Sequence, residues 1–293
     1  MSGIVFKLID LLSRLMAGLP MRIQYSIASI VYYIVYYVLR YRHRIVVENL
    51  KNSFPEKSET EIKRITKDFY RHFSDLFIES NALRGFSETE LLKRCKFINP
   101  GVMDELYEQG KSVSVVLGHY GNWEYFASFQ LAVKHKALAI YKPLKNKFFD
   151  EYMIRIRSKF GVQPVAMANI FRELVTYKNK GIPTATLFIA DQSPHKQQIR
   201  FWADFLNQPT PVLLGTEKVA GKLNQAVVFF KMRKVKRGFY EVEVEKLFDD
   251  LSMVNERDIT LRHMKVLEDL IKEQPEYWLW SHRRWKHKQA LTN

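Results

Sequence analysis

His119 and Glu124 stand five positions apart at the end of the segment running from Ser112 to Glu124, where an apolar run gives way to Gly118-His119-Tyr120-Gly121-Asn122-Trp123-Glu124. A carboxylate bonded to one imidazole nitrogen fixes the tautomer and leaves the other nitrogen free to take a proton from an alcohol. On one continuous helix the two side chains would point about 140° apart. Pairing them therefore requires His119 in a turn and Glu124 in the first turn of a following helix, a path that Gly118 and Gly121 permit and that Asn122 is placed to cap. The chemistry expected is general-base activation of a hydroxyl without a nucleophilic serine. The competing reading is a strand-end histidine that only caps a helix.

The rest of the chain offers few rivals. It contains no Gly-x-Ser-x-Gly elbow, His-Glu-x-x-His helix, P-loop or Gly-x-Gly-x-x-Gly fingerprint, so serine hydrolase, zinc hydrolase and nucleotide-binding readings lack local support. The single cysteine, Cys95, can form neither an internal disulfide nor a cysteine-rich zinc site. No cofactor and no metal are expected.

The elements that must position the pair alternate. Val113 to Leu117, Leu138 to Tyr141, Gln163 to Ala166, Thr184 to Ala190, Ala226 to Met232 and Phe239 to Val244 read as short strands. Helical spacing lies between several of them, near 122–135, 147–160, 169–180 and 212–223, and a closing helix is expected over 256–273. Such alternation predicts an α/β sheet covered by helices. Upstream, the spacing of Ile62, Ile65, Phe69, Leu76 and Phe77 predicts a long helix from Glu59, capped by Ser58 or Thr60.

The N-terminal region has a different character. Residues 4–19 place Leu8, Leu11, Leu12 and Leu15 at helical spacing opposite Lys7, Asp10 and Arg14, an amphipathic pattern. After Pro20, residues 23–39 carry no charge and are bracketed by Arg22 and by Arg40, Arg42 and Arg44. Seventeen helical residues reach roughly 25 Å, short of a ~30 Å hydrocarbon core, so spanning and insertion into one leaflet both stay open. The tyrosines at 32, 33, 36, 37 and 41 suit headgroup depth, and the basic cluster after them favours a cytoplasmic body. No signal-peptide cleavage is expected. Residues 1–45 are taken as membrane-associated helices, and residues 46–293 as a helical lead-in joined to one catalytic domain.

With 293 residues, 47% hydrophobic and 26% charged, the chain has a globular balance and no disorder signature. Lys+Arg exceed Asp+Glu by 46 to 31, a net +15 that draws anions without choosing among lipid, phosphate, acidic protein or nucleic acid.

Ordered blocks along most of the chain add a resemblance. An N-terminal apolar anchor precedes Arg-rich sequence and Glu48-Asn49-Leu50; then come His119-Tyr-Gly-Asn-Trp-Glu124, Tyr141-Lys142-Pro143, Arg155-Ile-Arg157-Ser158, Ala190-Asp191-Gln192 and Phe205-Leu-Asn-Gln-Pro209-Thr210-Pro211 with Gly215. In these blocks the sequence resembles the lipid A late acyltransferases of Gram-negative bacteria, the lauroyl and myristoyl transferases, within the wider His-x4-Asp/Glu glycerolipid acyltransferase group.

The resemblance implies a glycerolipid-acyltransferase-like mixed sheet flanked by helices behind a helical, membrane-associated N-terminus. It implies His119 as base, Glu124 as its orienting partner, an essential arginine at Arg155 or Arg157, and an essential acid at Asp191. Two positions apart, the arginines cannot share a helical face, so at most one is expected to point inward. Substrate contacts are expected from Lys142, Asn122, Gln192, Pro209, Thr210 and Pro211. Lys142 stands where the family usually has arginine, which keeps the charge but loses the planar fork. The donor is expected to be an acyl carrier protein thioester, its acidic surface matched to the basic runs Lys231–Arg237 and His282–Lys288. The acceptor is expected to be a lipid A precursor at the cytoplasmic side of the bacterial inner membrane, with anionic lipid as a further partner. Acyl-CoA as donor, or another lysolipid or aminolipid as acceptor, fits the same chemistry. A non-catalytic, membrane-associated nucleic-acid binder is the rival of another class, motivated by the net charge and by Trp278, Trp280 and Trp285; no nucleic acid is expected on the enzyme reading.

Overall fold

The computed structural model describes residues 3–287; residues 1–2 and 288–293, the outer ends of the two expected segments and with them Lys288 of the second basic run, lie outside the described residues. Helices α1 (Gly3–Ala17) and α2 (Met21–Tyr33) open the chain, and α2 runs into a π-helical turn at Ile34–Val38. Next come α3 (His43–Ser53) and the long α4 (Glu59–Ala82). Ser58 caps α4 with its hydroxyl on the Glu61 N–H, and the Glu61 carboxylate accepts from the Ser58 N–H, a capping box. Then follow α5 (Glu88–Arg94), β1 (Cys95–Phe97), α6 (Gly101–Glu108), β2 (Val113–Leu117), a 3-10 turn (Trp123–Ser128), α7 (Phe129–Ala132), β3 (Lys136–Tyr141) and α8 (Lys147–Ser158). The remaining elements are β4 (Gln163–Ala166), α9 (Ile170–Asn179), β5 (Thr184–Ile189), β6 (Trp202–Phe205), β7 (Gln208–Pro211), α10 (Gly215–Leu223), β8 (Ala226–Lys236), β9 (Phe239–Phe248) and α11 (Asp258–Glu273).

Seven strands form one mixed sheet in the order β1-β9-β8-β2-β5-β3-β4, parallel throughout except for the β8–β9 hairpin. Strands β6 and β7 make a separate antiparallel ribbon. The expected mixed α/β sheet with flanking helices is therefore present. Both faces of the sheet are covered, which is why its central strands read as unbroken apolar runs. Val113, Val115 and Leu117 of β2 and Val228, Phe230 and Met232 of β8 pack toward α5, α6 and the 3-10 turn. Val116, Val227 and Phe229 point the other way, toward α3, α4 and α11. Each such side chain, withdrawn fully from water, contributes about 1.5–3 kcal/mol.

The N-terminal helices divide their faces. Gln24, Ala28, Tyr32 and Tyr36 are buried, and the Tyr36 ring lies 5.3 Å from that of Tyr70 on α4. Tyr32 and Tyr36 thus anchor the helices to the body, whereas Tyr33, Tyr37 and Tyr41 keep the exposed positions expected of all five. Leu8, Leu11, Leu12 and Leu15 of α1 are exposed, as are Ile30, Ile34, Val38 and Leu39. Among the described residues, no helix is long and apolar enough to cross a membrane.

Candidate active site

Strands β2 and β5 are parallel neighbours whose register pairs Leu117 with Ile189. Two residues beyond each, His119 and Asp191 emerge level with one another at the C-terminal edge of the sheet, where open α/β sheets assemble their sites. His119 Nδ1 lies 2.6 Å from Asp191 Oδ1, while Asp191 Oδ2 accepts the His119 backbone N–H at 2.8 Å and the Trp278 indole N–H at 2.7 Å. Burial by itself would push this carboxyl up, but the neighbouring imidazole and the three donors outweigh it and hold Asp191 at about 2. An ionised Asp191 places the ring proton on Nδ1 and leaves Nε2 as the basic nitrogen. Nε2 faces a cavity, with Gln192 Nε2 at 3.2 Å.

The expected His119–Glu124 hydrogen bond is not formed. The turn after His119 carries Glu124 into the 3-10 segment, where Arg157 of α8 takes both carboxylate oxygens, Nε to Oε2 at 3.0 Å and the second nitrogen to Oε1 at 2.6 Å. The orienting carboxylate of the histidine is Asp191, and Glu124 forms instead a bidentate ion pair on the cavity wall. Of the two arginines, Arg157 lines this cavity and Arg155 faces away from it, as the helical spacing requires.

Other expected contacts are redistributed. Asn122 is fully buried and does not cap a helix; its amide donates to Glu79 Oε2 at 2.7 Å, and its backbone N–H points at the Met232 sulfur, so neither group is available to substrate. Lys142 lines the mouth of the cavity with its ammonium 3.2 Å from His195 Nε2. Pro209, Thr210 and Pro211 form β7 and do not line the cavity. Thr210 accepts from the Trp285 indole and the Pro211 carbonyl from Arg284, while Leu213, Gly215 and Thr216, a few residues on, supply the wall.

The cavity measures about 450 Å³. Its polar mouth is formed by His119, Glu124, Lys142, Arg157 and Gln192, and its interior by Leu117, Phe126, Ala139, Val162, Leu187, Phe188 and Val219. Apolar walls with a few converging polar groups suit a ligand with a hydrocarbon body and one reactive polar end.

Behind the turn lies a second set of buried groups with no motif in the sequence. Glu79 of α4 accepts from Asn122, Tyr25 and Tyr240, and burial pushes its carboxyl upward against the pull of Lys234. His72, two turns earlier on the same face of α4, donates Nε2–H to the Gly121 carbonyl and is held neutral, pushed down to about 3 by burial and by Lys234. The C-terminal segment closes the other side: Gly121 N–H bonds the Tyr277 carbonyl and Leu279 N–H the His119 carbonyl. Asn49, the centre of the Glu48-Asn49-Leu50 block, fixes that segment through the carbonyls of Trp280 and His282. Trp278 and Trp280 are buried here as packing and donor groups, not displayed as a stacking surface for bases. Only the Glu48-Asn49-Leu50 block and the tryptophan cluster carried any sequence signal for this support.

The basic run Lys231–Arg237 is largely matched by its own acids. Lys231 pairs with Glu245, Arg233 with Glu243 and Glu273, and Lys234 and Arg237 with Asp75. In the second run, Arg284 is buried and His282 accepts the Ser193 N–H. Further exposed cations lie on the loops after β3 and β5, where Lys142, which lines the cavity, and Lys145, Lys196 and Arg200 lack a carboxylate partner among the described residues.

No curated protein matches the chain. Residues 4–287, nearly all of it, match the bacterial lipid A biosynthesis acyltransferases. With the sheet-edge histidine and the apolar cavity in view, the chain belongs to the bacterial lipid A biosynthesis acyltransferase family, and its general activity is acyl transfer.

Proposed function

We propose that the protein transfers a fatty acyl chain from a carrier thioester to a hydroxyl of a lipid A precursor, with His119 as general base and Asp191 as the carboxylate that orients it. The observation that carries this reading is the 2.6 Å bond from His119 Nδ1 to an ionised, fully enclosed Asp191, which leaves Nε2 facing an apolar cavity. The acceptor hydroxyl gives its proton to Nε2 as its oxygen attacks the thioester carbonyl. The tetrahedral oxyanion collapses with cleavage of the C–S bond, and the imidazolium returns the proton to the leaving thiolate. The products are an ester and a thiol. Gln192, 3.2 Å from Nε2, is the nearest side-chain donor for the oxyanion, a role worth about 3 kcal/mol where such a donor has been removed elsewhere. The Glu124–Arg157 pair shapes the polar end of the cavity, and the apolar interior takes the acyl chain.

The exposed cations on the loops of Lys142 and Lys196 support an acidic acyl carrier protein as donor, docked at the cavity mouth. The exposed leucine face of α1 and the apolar residues 30–39 support insertion into one leaflet of the inner membrane, with the body on the cytoplasmic side. The test is to incubate the purified protein with acyl carrier protein and CoA thioesters, a set of lysolipids and phosphoglucosamine lipids, and weigh the products. One added acyl chain on a phosphoglucosamine lipid, abolished by His119→Ala, is the expected result. Inactivity of the folded protein on every acceptor refutes it. For the membrane, Leu11→Glu with Leu15→Glu is expected to release the protein from inner-membrane vesicles without lowering its melting temperature; retention on the vesicles counts against leaflet insertion.

A further inference from the structure

A second cavity, of about 590 Å³, lies on the opposite side of α8 from the catalytic one, between the end of α1, the end of α4 and the outer face of α8. Four cations line it: Arg14, Arg84, Arg155 and Lys159. Asp10 is the one carboxylate, among the described residues, that pairs with any of them; it binds the Arg14 Nε at 2.9 Å and an Arg84 terminal nitrogen at 2.8 Å. The Lys159 ammonium is spent on the carbonyls of Leu83, Arg84 and Phe86, so it supplies charge and no free donor. Arg84 lies 5.0 Å over the Tyr152 ring. Arg155 is exposed and makes no hydrogen bond, ion pair or ring contact among the described residues, even with Glu151 one turn before it.

We infer that this cavity is a binding site for a phosphate group of a membrane lipid, gripped by Arg155 and the free nitrogens of Arg14. A surplus of three positive charges around one recess calls for an anion, and an unpartnered guanidinium fork matches phosphate oxygens in a bidentate way. The source is set by location. Arg14 sits on the same helix as the exposed Leu8, Leu11, Leu12 and Leu15, so the recess opens at headgroup depth if that face lies on a bilayer. Two lipids carry such a group there: an anionic phospholipid of the bilayer, and the phosphorylated acceptor itself, whose reacting hydroxyl would reach the catalytic cavity past α8. The second source rests on the acyltransferase reading above; the first does not.

The experiment compares the full-length wild type with Arg155→Gln, Arg155→Glu and, as a control cation on the exposed face of α4, Arg64→Gln. One arm measures cosedimentation with phosphatidylcholine vesicles with and without phosphatidylglycerol. The other measures KM and kcat for a phosphoglucosamine acceptor before and after phosphatase treatment. Loss of one charged bidentate contact is expected to weaken the affected interaction about tenfold, and Arg155→Glu more. If the bilayer is the source, the phosphatidylglycerol-dependent part of vesicle binding falls for both Arg155 variants and not for Arg64→Gln. If the acceptor is the source, KM rises for the phosphorylated acceptor with kcat held, and the difference vanishes after phosphatase treatment. Unchanged binding and unchanged KM in both Arg155 variants overturn the site, as does an equal effect from Arg64→Gln. Failure of wild type to acylate any acceptor removes the acyltransferase reading while leaving the vesicle arm to decide the site.

Discussion

Asp191 carries one charge and three donors, and that ratio explains how a fully enclosed carboxylate stays ionised. Because the donors are the ring nitrogen and backbone amide of His119 and the indole of Trp278 from a distant segment, the imidazole is fixed in tautomer and in rotation before substrate arrives. Glu124 and Arg157 follow a different logic. They bind each other at the polar mouth of the cavity, so removing either leaves the other charge half-buried and unmatched. A double-mutant cycle with Glu124→Gln and Arg157→Met, read as kcat/KM for acyl transfer, is expected to show the double variant losing less than the sum of the singles by about 1–3 kcal/mol. Additive losses would mean that the two act separately.

At the scale of elements, the site depends on a tight turn at the end of β2. Gly118 leaves no room for a side chain: a Cβ there would lie 2.6 Å from Leu267 of α11 and 3.2 Å from the Asp191 carboxylate. Gly121 adopts a φ of +62°, and a Cβ on it would meet the Met232 sulfur at 2.9 Å. Gly118→Ala is expected to cost about 1–3 kcal/mol of stability, read as a lower melting temperature, and to cost less when introduced into a Leu267→Ala background than into the wild type; no change in melting would show that the turn relaxes freely. The positions of these elements were legible where a run of β-forming residues or a helical apolar spacing marks them, whether burial is complete, as in Val113–Leu117, or partial, as in Gln163–Ala166. Val113–Leu117 and Gln163–Ala166 match their apolar runs to the residue, and α8, α9 and α11 match their helical spacing to within two residues at either end. The ribbon Trp202–Pro211 was not legible, because Pro209 and Pro211 read as loop and the pairing is with one short strand only. The partner of His119 was hidden for a deeper reason. Local spacing offers Glu124, whereas Asp191 reaches the imidazole through the register of two strands whose pairing no local pattern encodes.

At the scale of the whole molecule, polar groups are enclosed on both sides of the sheet, and two of them make the fold sensitive to acid. His72 is pushed down to about 3 by burial and by Lys234, and His263 to about 4 by burial, so both are neutral in the folded protein. In the unfolded chain they protonate near 6.5, so below that pH the unfolded state binds more protons and stability falls with pH. Two such groups together remove about 3 kcal/mol per pH unit between about pH 6 and pH 4. Asp191 adds its own loss only below about 4, as its carboxyl begins to protonate. Melting temperature measured across this range is expected to drop steeply before pH 4, and His263→Asn to flatten the drop; a flat profile would show that these histidines are hydrated. Catalysis needs the same enclosed sheet edge intact, and steady-state acyl transfer by the full-length protein in mixed micelles probes it most directly. His119→Ala and Asp191→Asn are expected to lose kcat together, by roughly a thousandfold or more, because an amide at position 191 no longer holds the ring proton on Nδ1, while Glu124→Gln loses less. Near wild-type turnover by Asp191→Asn, with Glu124→Gln inactive, would contradict the assignment of Asp191 as the carboxylate behind the base.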